Sequence, residues 1–168
     1  EIEPILPLCS EIIWGGGEPL IQKEFSSFLK NIENYKNIKF STTANGQLLT
    51  ENTLKRLNLL DEINIHFSID AASDETYRTH RIGGELDDLL KILKKAIEYR
   101  DKDPKRWRIS WGFLAMNTTI HEMGLAISKA RELKIPISLG PIETYPMEDR
   151  LDFLSTSVDQ SKRIQLLN

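Results

Sequence analysis

A glycine-rich turn that ends in a carboxylate is the first part of this sequence that could do chemistry. Three glycines at positions 15–17 follow an apolar stretch, and Glu18 and Pro19 come directly after them. Because glycine has no Cβ, a ligand can lie directly against the peptide N–H and C=O groups, and positive φ angles cost little. Pro19 fixes φ and lacks an N–H that would be unpaired at the start of a helix. The stretch therefore predicts a ligand-binding turn that leads into a helix.

Further polar side chains follow the ends of other apolar stretches. Asn45 precedes Gly46 after one such stretch. Ser68 and Asp70 close the next, and Asn117 follows a third. Ligands bind at the carboxyl ends of the strands in both barrels and open α/β sheets. If the apolar stretches are parallel strands, these side chains share one edge of the sheet with the glycine turn.

The elements that position these residues alternate between strand and helix patterns. Apolar and polar residues alternate over 62–70, as in a strand, whereas apolar residues over 86–97 form the stripe of an amphipathic helix. Thr50 and Ser73 are of the type that caps a helix N-terminus. This alternation is typical of βαβ units in a parallel sheet with right-handed crossovers. The predicted strands are residues 10–14, 38–42, 62–70, 107–116 and 135–142, and a last helix is predicted over 161–167.

Length and composition favour one globular domain. The chain has 168 residues, of which 40% are hydrophobic and 28% charged, so it can bury one core. A net charge of −3 offers no general surface for nucleic acid. No apolar run approaches the length of a membrane span, and no signal peptide opens the chain. We therefore expect a cytoplasmic domain with neither a membrane nor a nucleic acid as partner.

Common phosphate-binding motifs do not match the glycine turn. No Gly-Lys-Ser/Thr follows it, and Leu20 stands where G-x-G-x-x-G requires its last glycine. Taken alone, the turn is equally compatible with a tight structural connection capped by a carboxylate. Ser68 and Asp70 are likewise compatible with residues that only terminate a strand.

The three histidines do not predict a metal site. His66, His80 and His121 lack the spacing of a helical metal motif, and no cysteine pair supplements them. His66 alternates with the apolar residues of its strand. It either points into a barrel and contacts substrate or is a polar side chain satisfied within the fold, and the second interpretation is favoured.

The combination of motifs is more specific than any one of them. Gly-Gly-Glu-Pro at 16–19, Asn-Gly at 45–46, and Phe-Ser-Ile-Asp at 67–70 followed by Arg81 each come after a successive predicted strand. In this order they resemble the radical S-adenosylmethionine (SAM) superfamily, most closely its members with a C-terminal SPASM or twitch extension. The resemblance implies an α/β fold, a partial (β/α)6 TIM-like barrel over 1–146 with strands two to six present. Residues 147–168 would be a connection or the start of a helix.

The resemblance also implies how SAM is held at its ammonium end. In this family the backbone of the glycine turn binds the methionyl ammonium, and backbone carbonyls are suitable acceptors for such a cation. The corresponding residues here are Gly16, Gly17, Glu18 and Pro19.

Other residues are assigned to SAM in the same way. Ser68 and Arg81 would bind its carboxylate, because a hydroxyl and a guanidinium fork suit two oxygens. Asn45 and Asp70 would contact the ribose or shape the substrate cavity, and Asn117 would lie near the adenosine. For Arg81, the alternative interpretation is a surface ion pair with a nearby carboxylate.

The same resemblance implies an activity for the intact protein. It would be an oxidoreductase that cleaves SAM reductively at a [4Fe–4S] cluster, forms a 5′-deoxyadenosyl radical and abstracts hydrogen from a substrate. In the members that it resembles most, the substrate is a peptide or protein side chain. Flavodoxin or ferredoxin would supply the electron.

The cluster motif of the family is absent from these residues. The motif C-x3-C-x2-C follows the first strand of the family, whereas the only cysteine here is Cys9, whose apolar neighbours indicate a buried thiol. We therefore expect a chain truncated before the motif and inactive alone, or else a degenerate, cluster-free SAM-like binding or regulatory module. A third interpretation is a non-radical α/β-barrel lyase or hydrolase that uses Glu18 and Asp70 as acid and base.

Overall fold

A computed structural model describes residues 4–15 and 17–141 of the chain. The connection predicted for 147–168, the helix predicted over 161–167 and Gly16 lie outside the described residues. The strands are β1 (Glu11–Trp14), β2 (Lys39–Ala44), β3 (Glu62–Ser68), β4 (Trp107–Ala115) and β5 (Ile137–Pro141). The helices are α1 (Lys23–Lys30), α2 (Glu51–Leu57), α3 (Asp74–His80), α4 (Leu86–Lys102) and α5 (Met123–Glu132). Short 3-10 turns cover Leu6–Leu8, Pro19–Ile21, Ile32–Tyr35 and Ile120–Glu122.

The strands form one parallel five-stranded sheet in the order β1-β2-β3-β4-β5. The register pairs Trp14 with Thr42 and Thr42 with Ile65. All five predicted strands are present, and no strand end differs from the sequence prediction by more than two residues. The predicted α/β class with a parallel sheet is therefore confirmed.

One strand end and one helix start differ from the prediction in a way that affects the candidate site. The β3 strand ends at Ser68, so Asp70 lies in the loop that follows and not in the strand itself. Pro19 opens a 3-10 turn, and helix α1 begins only at Lys23. Both differences lengthen the loops at the carboxyl ends of the strands, where ligands bind in folds of this class.

The two predicted helix caps are present. The Thr50 hydroxyl accepts a hydrogen bond from Thr53 N at 3.1 Å at the start of α2. The Ser73 hydroxyl accepts one from Thr76 N at 3.3 Å at the start of α3. Each bond satisfies an N–H that has no partner inside the helix.

The chain forms two compact units. The first comprises the described residues up to Ser68 together with Asp87–Ser110. Its core holds an aromatic cluster in which the rings of Phe25 and Phe28 each lie within 6 Å of the Phe40 ring. Large rings of this kind bury most of the apolar area of a small core.

The second unit comprises Ile69–Leu86 and the described residues from Trp111 onward. Trp111, Phe113 and Tyr77 are fully buried in it, and Trp111 donates its indole N–H to Ile69 O at 2.7 Å. This bond satisfies the one polar atom of the indole. The loop after β3 is thereby fixed to β4.

Cys9 is partly exposed, so the expectation of a buried thiol is wrong. Its Sγ lies 3.4 Å from Ile5 O. Among the helices that the structure describes, none combines the length and the apolar character needed to cross a membrane.

Candidate functional site

The glycine turn follows β1 and has the open backbone that the sequence predicts. Gly17 has a φ of +80°, and a Cβ added there would meet nothing within 4 Å, so the space above this backbone is open. The next residue, Glu18, is extended, and Pro19 is buried. A residue with a side chain would be strained by about 1–2 kcal/mol at the φ of Gly17.

Glu18 connects the glycine turn to the loop after β2. One carboxylate oxygen, Oε2, accepts a hydrogen bond from the backbone N–H of Asn45 at 2.9 Å. The other, Oε1, is buried and has no hydrogen-bond partner among the described residues. The side chain of Asn45 accepts from Gln47 N at 2.9 Å and so shapes its own turn. The structure thus brings Asn45 and Glu18 together and leaves one buried carboxylate oxygen available.

Ser68 is the last residue of β3 in the first unit. It is half-buried, and its hydroxyl makes no hydrogen bond to any residue that the structure describes. A strand-terminal hydroxyl without an internal partner is available to a ligand.

In the second unit, Asp70 and Arg81 form a largely buried ion pair. Arg81 donates from Nη2 to Asp70 Oδ2 at 2.7 Å, and the two side chains are 28% and 9% exposed. Asp70 Oδ1 accepts from Leu114 N at 3.1 Å. The ion-pair interpretation of Arg81 is therefore correct in kind, but the pair is mostly buried rather than at the surface. Nε of Arg81 is buried and has no partner within the described part of the chain.

Asn117 lies in the turn that follows β4 and is exposed. No hydrogen bond joins it to Asp70 or Arg81 in the described residues. Its neighbour Thr118 lies with Oγ1 3.0 Å from His80 Nε2 at the end of α3. The predicted proximity of Asn117 to the adenosine of SAM stays a prediction.

Glu122 is a residue of this region whose role the sequence does not reveal. It is 6% exposed, and its carboxylate accepts hydrogen bonds from Ala72 N at 2.6 Å, Ser73 N at 3.1 Å and Thr76 Oγ1 at 2.7 Å. The Ser73 hydroxyl donates to it as well. Glu122 directly precedes α5, but its side chain caps α3 and makes no capping bond to α5. No local sequence signal indicates this role, because Glu122 and α3 are far apart in the chain.

These bonds determine the charge state of Glu122. Burial on its own would raise its pKa, but the hydrogen bonds from Ser73, Ala72 and Thr76 favour the ionised form and outweigh it. The pKa of Glu122 therefore lies below its ordinary value. An ionised carboxylate at the N-terminus of α3 is also favoured by the helix dipole.

The described residues do not suit a metal centre. No three His, Cys, Asp or Glu side chains come together within residues 4–15 and 17–141. With Cys9 as its one cysteine, the sequence cannot supply the three thiolates of a [4Fe–4S] cluster.

The glycine turn with Glu18 follows β1, and Asp70 follows β3, which are positions where folds of this class bind ligands. Residues 3–123 match the family model of the Radical SAM superfamily. This chain belongs to the Radical SAM superfamily. Proteins of that superfamily use SAM and a [4Fe–4S] cluster, and the characterised relatives are enzymes.

Curated relatives carry the name GTP 3′,8-cyclase. The probable GTP 3′,8-cyclase of Methanococcus maripaludis strain C5 is 32% identical over 137 residues, which are 81% of this chain and 43% of that protein. The one from Methanocaldococcus jannaschii is 27% identical over 136 residues, again 81% of this chain and 43% of the relative. The chain thus spans less than half the length of these relatives.

Solved structures of low sequence identity share the fold. Streptococcus suis SuiB bound to its precursor peptide SuiA is 16% identical and superimposes with a TM-score of 0.62, over 94% of this chain and 34% of SuiB. A domain of a pyruvate-formate lyase-activating enzyme from Bacteroides vulgatus is 15% identical, with a TM-score of 0.57, over 93% of this chain and 91% of that domain. The partial-barrel fold predicted from the sequence is confirmed by these likenesses.

Proposed function

We propose that this chain is the SAM-binding part of a radical SAM enzyme. In this proposal, the glycine turn and Glu18 hold the methionyl ammonium of SAM, and Ser68 with Arg81 holds its carboxylate. Asn45, Asp70 and Asn117 shape the surroundings of the nucleoside.

One observation carries the proposal. Among the described residues, Oε1 of Glu18 and Nε of Arg81 are buried polar atoms of charged groups without hydrogen-bond partners. Leaving such an atom unpaired costs about 1–3 kcal/mol, so native structures rarely keep one without a reason. A carboxylate oxygen suits an ammonium group, and a guanidinium N–H suits a carboxylate. The methionyl end of SAM carries both of these groups.

The residues of the chain would bind and orient SAM and exclude water from it. When bound together with an iron–sulfur cluster, SAM supplies hydrogen-atom abstraction in this superfamily. Gly17 leaves its backbone accessible, and Asp70 holds Arg81 in place before the ligand arrives. Because the described residues do not fit a cluster, the role proposed for them is limited to SAM. A reductant such as flavodoxin or ferredoxin is part of the proposal for the whole enzyme.

A nucleotide is the favoured substrate of the whole enzyme. A nucleotide substrate is supported by relatives that are up to 33% identical and are named probable GTP 3′,8-cyclases. The peptide expected from the sequence motifs has weaker support, since SuiB is only 16% identical to this chain.

Isothermal titration with SAM tests the proposal. The wild-type protein should bind SAM, and Arg81→Ala and Ser68→Ala should each weaken binding by about tenfold or more, because each removes a charged or polar contact worth about 1.5–3 kcal/mol. The matched control is Arg78→Ala, since Arg78 lies in α3, which ends directly before Arg81, but pairs at the surface with Asp74 and Glu85.

The outcomes separate the three interpretations of this chain. Absence of SAM binding, or equal binding by Arg81→Ala and wild type, would contradict the proposal and favour the lyase or hydrolase that uses Glu18 and Asp70. SAM binding without iron in the anaerobically purified full-length protein would favour the cluster-free binding module. SAM binding with iron and sulfide would support the radical enzyme.

A further inference from the structure

The sheet of the first unit has one face that its sequence leaves polar. Ile63, Ile65 and Phe67 of β3 are fully buried on one face, whereas the alternating residues on the other face are half-buried. Parallel sheets are normally covered by apolar residues on both faces. A polar second face on a parallel sheet therefore indicates a surface that binds a polar ligand or faces a cavity.

Neighbouring strands place their polar residues in rows across this face. Ser41 of β2 is in register with Asn64 of β3, and Thr43 is in register with His66. Strands in a sheet lie about 4.8 Å apart, so each row offers hydrogen-bonding groups at that spacing. The side chains of Ser41, Thr43 and Asn64 make no hydrogen bonds to the described residues.

His66 and Ser110 form the fixed part of this face. His66 Nδ1 lies 2.8 Å from Ser110 Oγ on β4, which orients the ring. Nε2 of His66 has no partner among the residues that the structure describes, so it is left as one directed donor or acceptor. Burial lowers the pKa of His66, which keeps the ring uncharged near neutral pH.

At the amino-terminal ends of the strands, the charged side chains of this face pair with one another. Glu62 is paired with Lys39 at 3.4 Å and with Arg108 at the start of β3 and β4. The next two rows toward the carboxyl ends of the strands, Ser41 with Asn64 and Thr43 with His66, contain only uncharged side chains. Beside them, Ile13 of β1 is in register with Ser41 and is 76% exposed.

We propose that this polar face, formed by Asn64, His66 and Ser110 with Ile13 beside them, binds the uncharged heterocyclic ring of a nucleoside-type substrate. The inference rests on the proposed function, whose substrate class it specifies. An amide and an imidazole offer donor and acceptor atoms that match the edge of a nucleobase, as asparagine does for adenine. An exposed isoleucine offers an apolar surface for the flat ring. An uncharged patch suits a base better than a phosphate, which would need an unpaired cation.

Imidazole NMR on the wild-type protein tests the proposal directly. With histidine labelled, guanosine, cytidine and uridine are titrated in the presence and absence of SAM; adenosine is omitted because it would compete with SAM. At least one nucleoside should shift the signals of His66 and leave those of the exposed His121 unchanged. A neutral capped tripeptide serves as the alternative ligand.

Variants then assign the binding to this face. Asn64→Ala and His66→Asn should weaken nucleoside binding by about tenfold, since each removes a hydrogen bond and leaves its partner unpaired. The matched controls Asn34→Ala and His121→Asn should bind as wild type does. Thermal unfolding of each variant shows that it is folded.

The proposal fails if no nucleoside shifts His66, if both variants bind as wild type does, or if only the peptide binds there. Titration with SAM in the same samples separates this failure from that of the proposed function. SAM binding without nucleoside binding would overturn only the assignment of this face. Nucleoside binding without SAM binding would overturn the proposed function and leave the surface assigned.

Discussion

Replacement of Glu122 by alanine tests the structural account of the loop that carries Asp70 and Arg81. The carboxylate of Glu122 receives two backbone N–H groups and two hydroxyls, all from the start of α3. The alanine variant removes all four bonds and leaves buried donors behind. We therefore expect a large loss of stability in the second unit.

The size of the loss follows from those bonds. An unsatisfied buried donor costs about 1–3 kcal/mol, and removal of a helix cap costs about 0.5–2 kcal/mol. The hydroxyls of Ser73 and Thr76 can reorient, and the contributions of neighbouring hydrogen bonds are not additive. We therefore expect Glu122→Ala to lower the free energy of unfolding by about 3 kcal/mol in total. For a chain of this size each kcal/mol lowers Tm by about 2–4 °C, so Tm should fall by about 6–12 °C.

The pH dependence gives a second, independent test. Since the pKa of Glu122 is lowered in the folded state, its charge stabilises the fold above the ordinary glutamate pKa of about 4.3. That contribution is lost as the pH falls through the lowered folded pKa. The difference in stability between wild type and Glu122→Gln should therefore shrink below about pH 4.

Thermal unfolding followed by circular dichroism at several pH values measures both effects. Glu132→Ala, an exposed glutamate near the end of α5, is the control and should leave Tm unchanged within about 1 °C. A Glu122→Ala protein that loses less than about 1 kcal/mol would refute the reasoning. A difference between wild type and Glu122→Gln that does not change with pH would refute the assigned charge state.

Three further predictions have defined outcomes. Gly46→Ala should lower Tm more than Gly17→Ala, because both glycines have positive φ but only the new methyl at Gly46 overlaps the Leu89 side chain and crowds the Phe67 ring; equal effects would contradict this. An NMR titration should place the midpoint of His66 below 6.5, the ordinary value, and a midpoint at or above it would contradict the burial of its ring. Arg106→Ala should cost about 2 kcal/mol by urea unfolding, since its guanidinium donates to three backbone carbonyls, and an unchanged midpoint would refute this.

Features that depend on short stretches of sequence were predictable. The caps at Thr50 and Ser73 follow from side chains that bond to an N–H three residues ahead, and strand alternation fixes which residues of β3 are buried. The glycine turn was predictable because its open backbone is a property of the glycines themselves. Pro19 was predicted at the start of the helix but opens a 3-10 turn before α1, because a proline is equally suited to either position.

Features that depend on distant partners were not predictable in detail. Glu122 caps a helix that begins about 50 residues earlier in the chain, and no local rule connects the two. Arg81 could be assigned to a ligand or to an ion pair, and only the folded chain shows that it reaches Asp70 while Nε stays unpaired. Both cases involve charges whose partners are brought close by the folded chain rather than by a fixed helix or strand spacing.

The bond between Asp70 and Arg81 has a consequence for the affinity of any anion that Arg81 binds. A free arginine side chain loses about 0.5–1.5 kcal/mol of conformational entropy when a ligand immobilises it. Here the Nη2–Oδ2 bond has already restricted the guanidinium, and Asp70 is itself held by Leu114 N. That entropy is lost during folding, so the ligand gains the contact to Nε without ordering the side chain at the moment of binding.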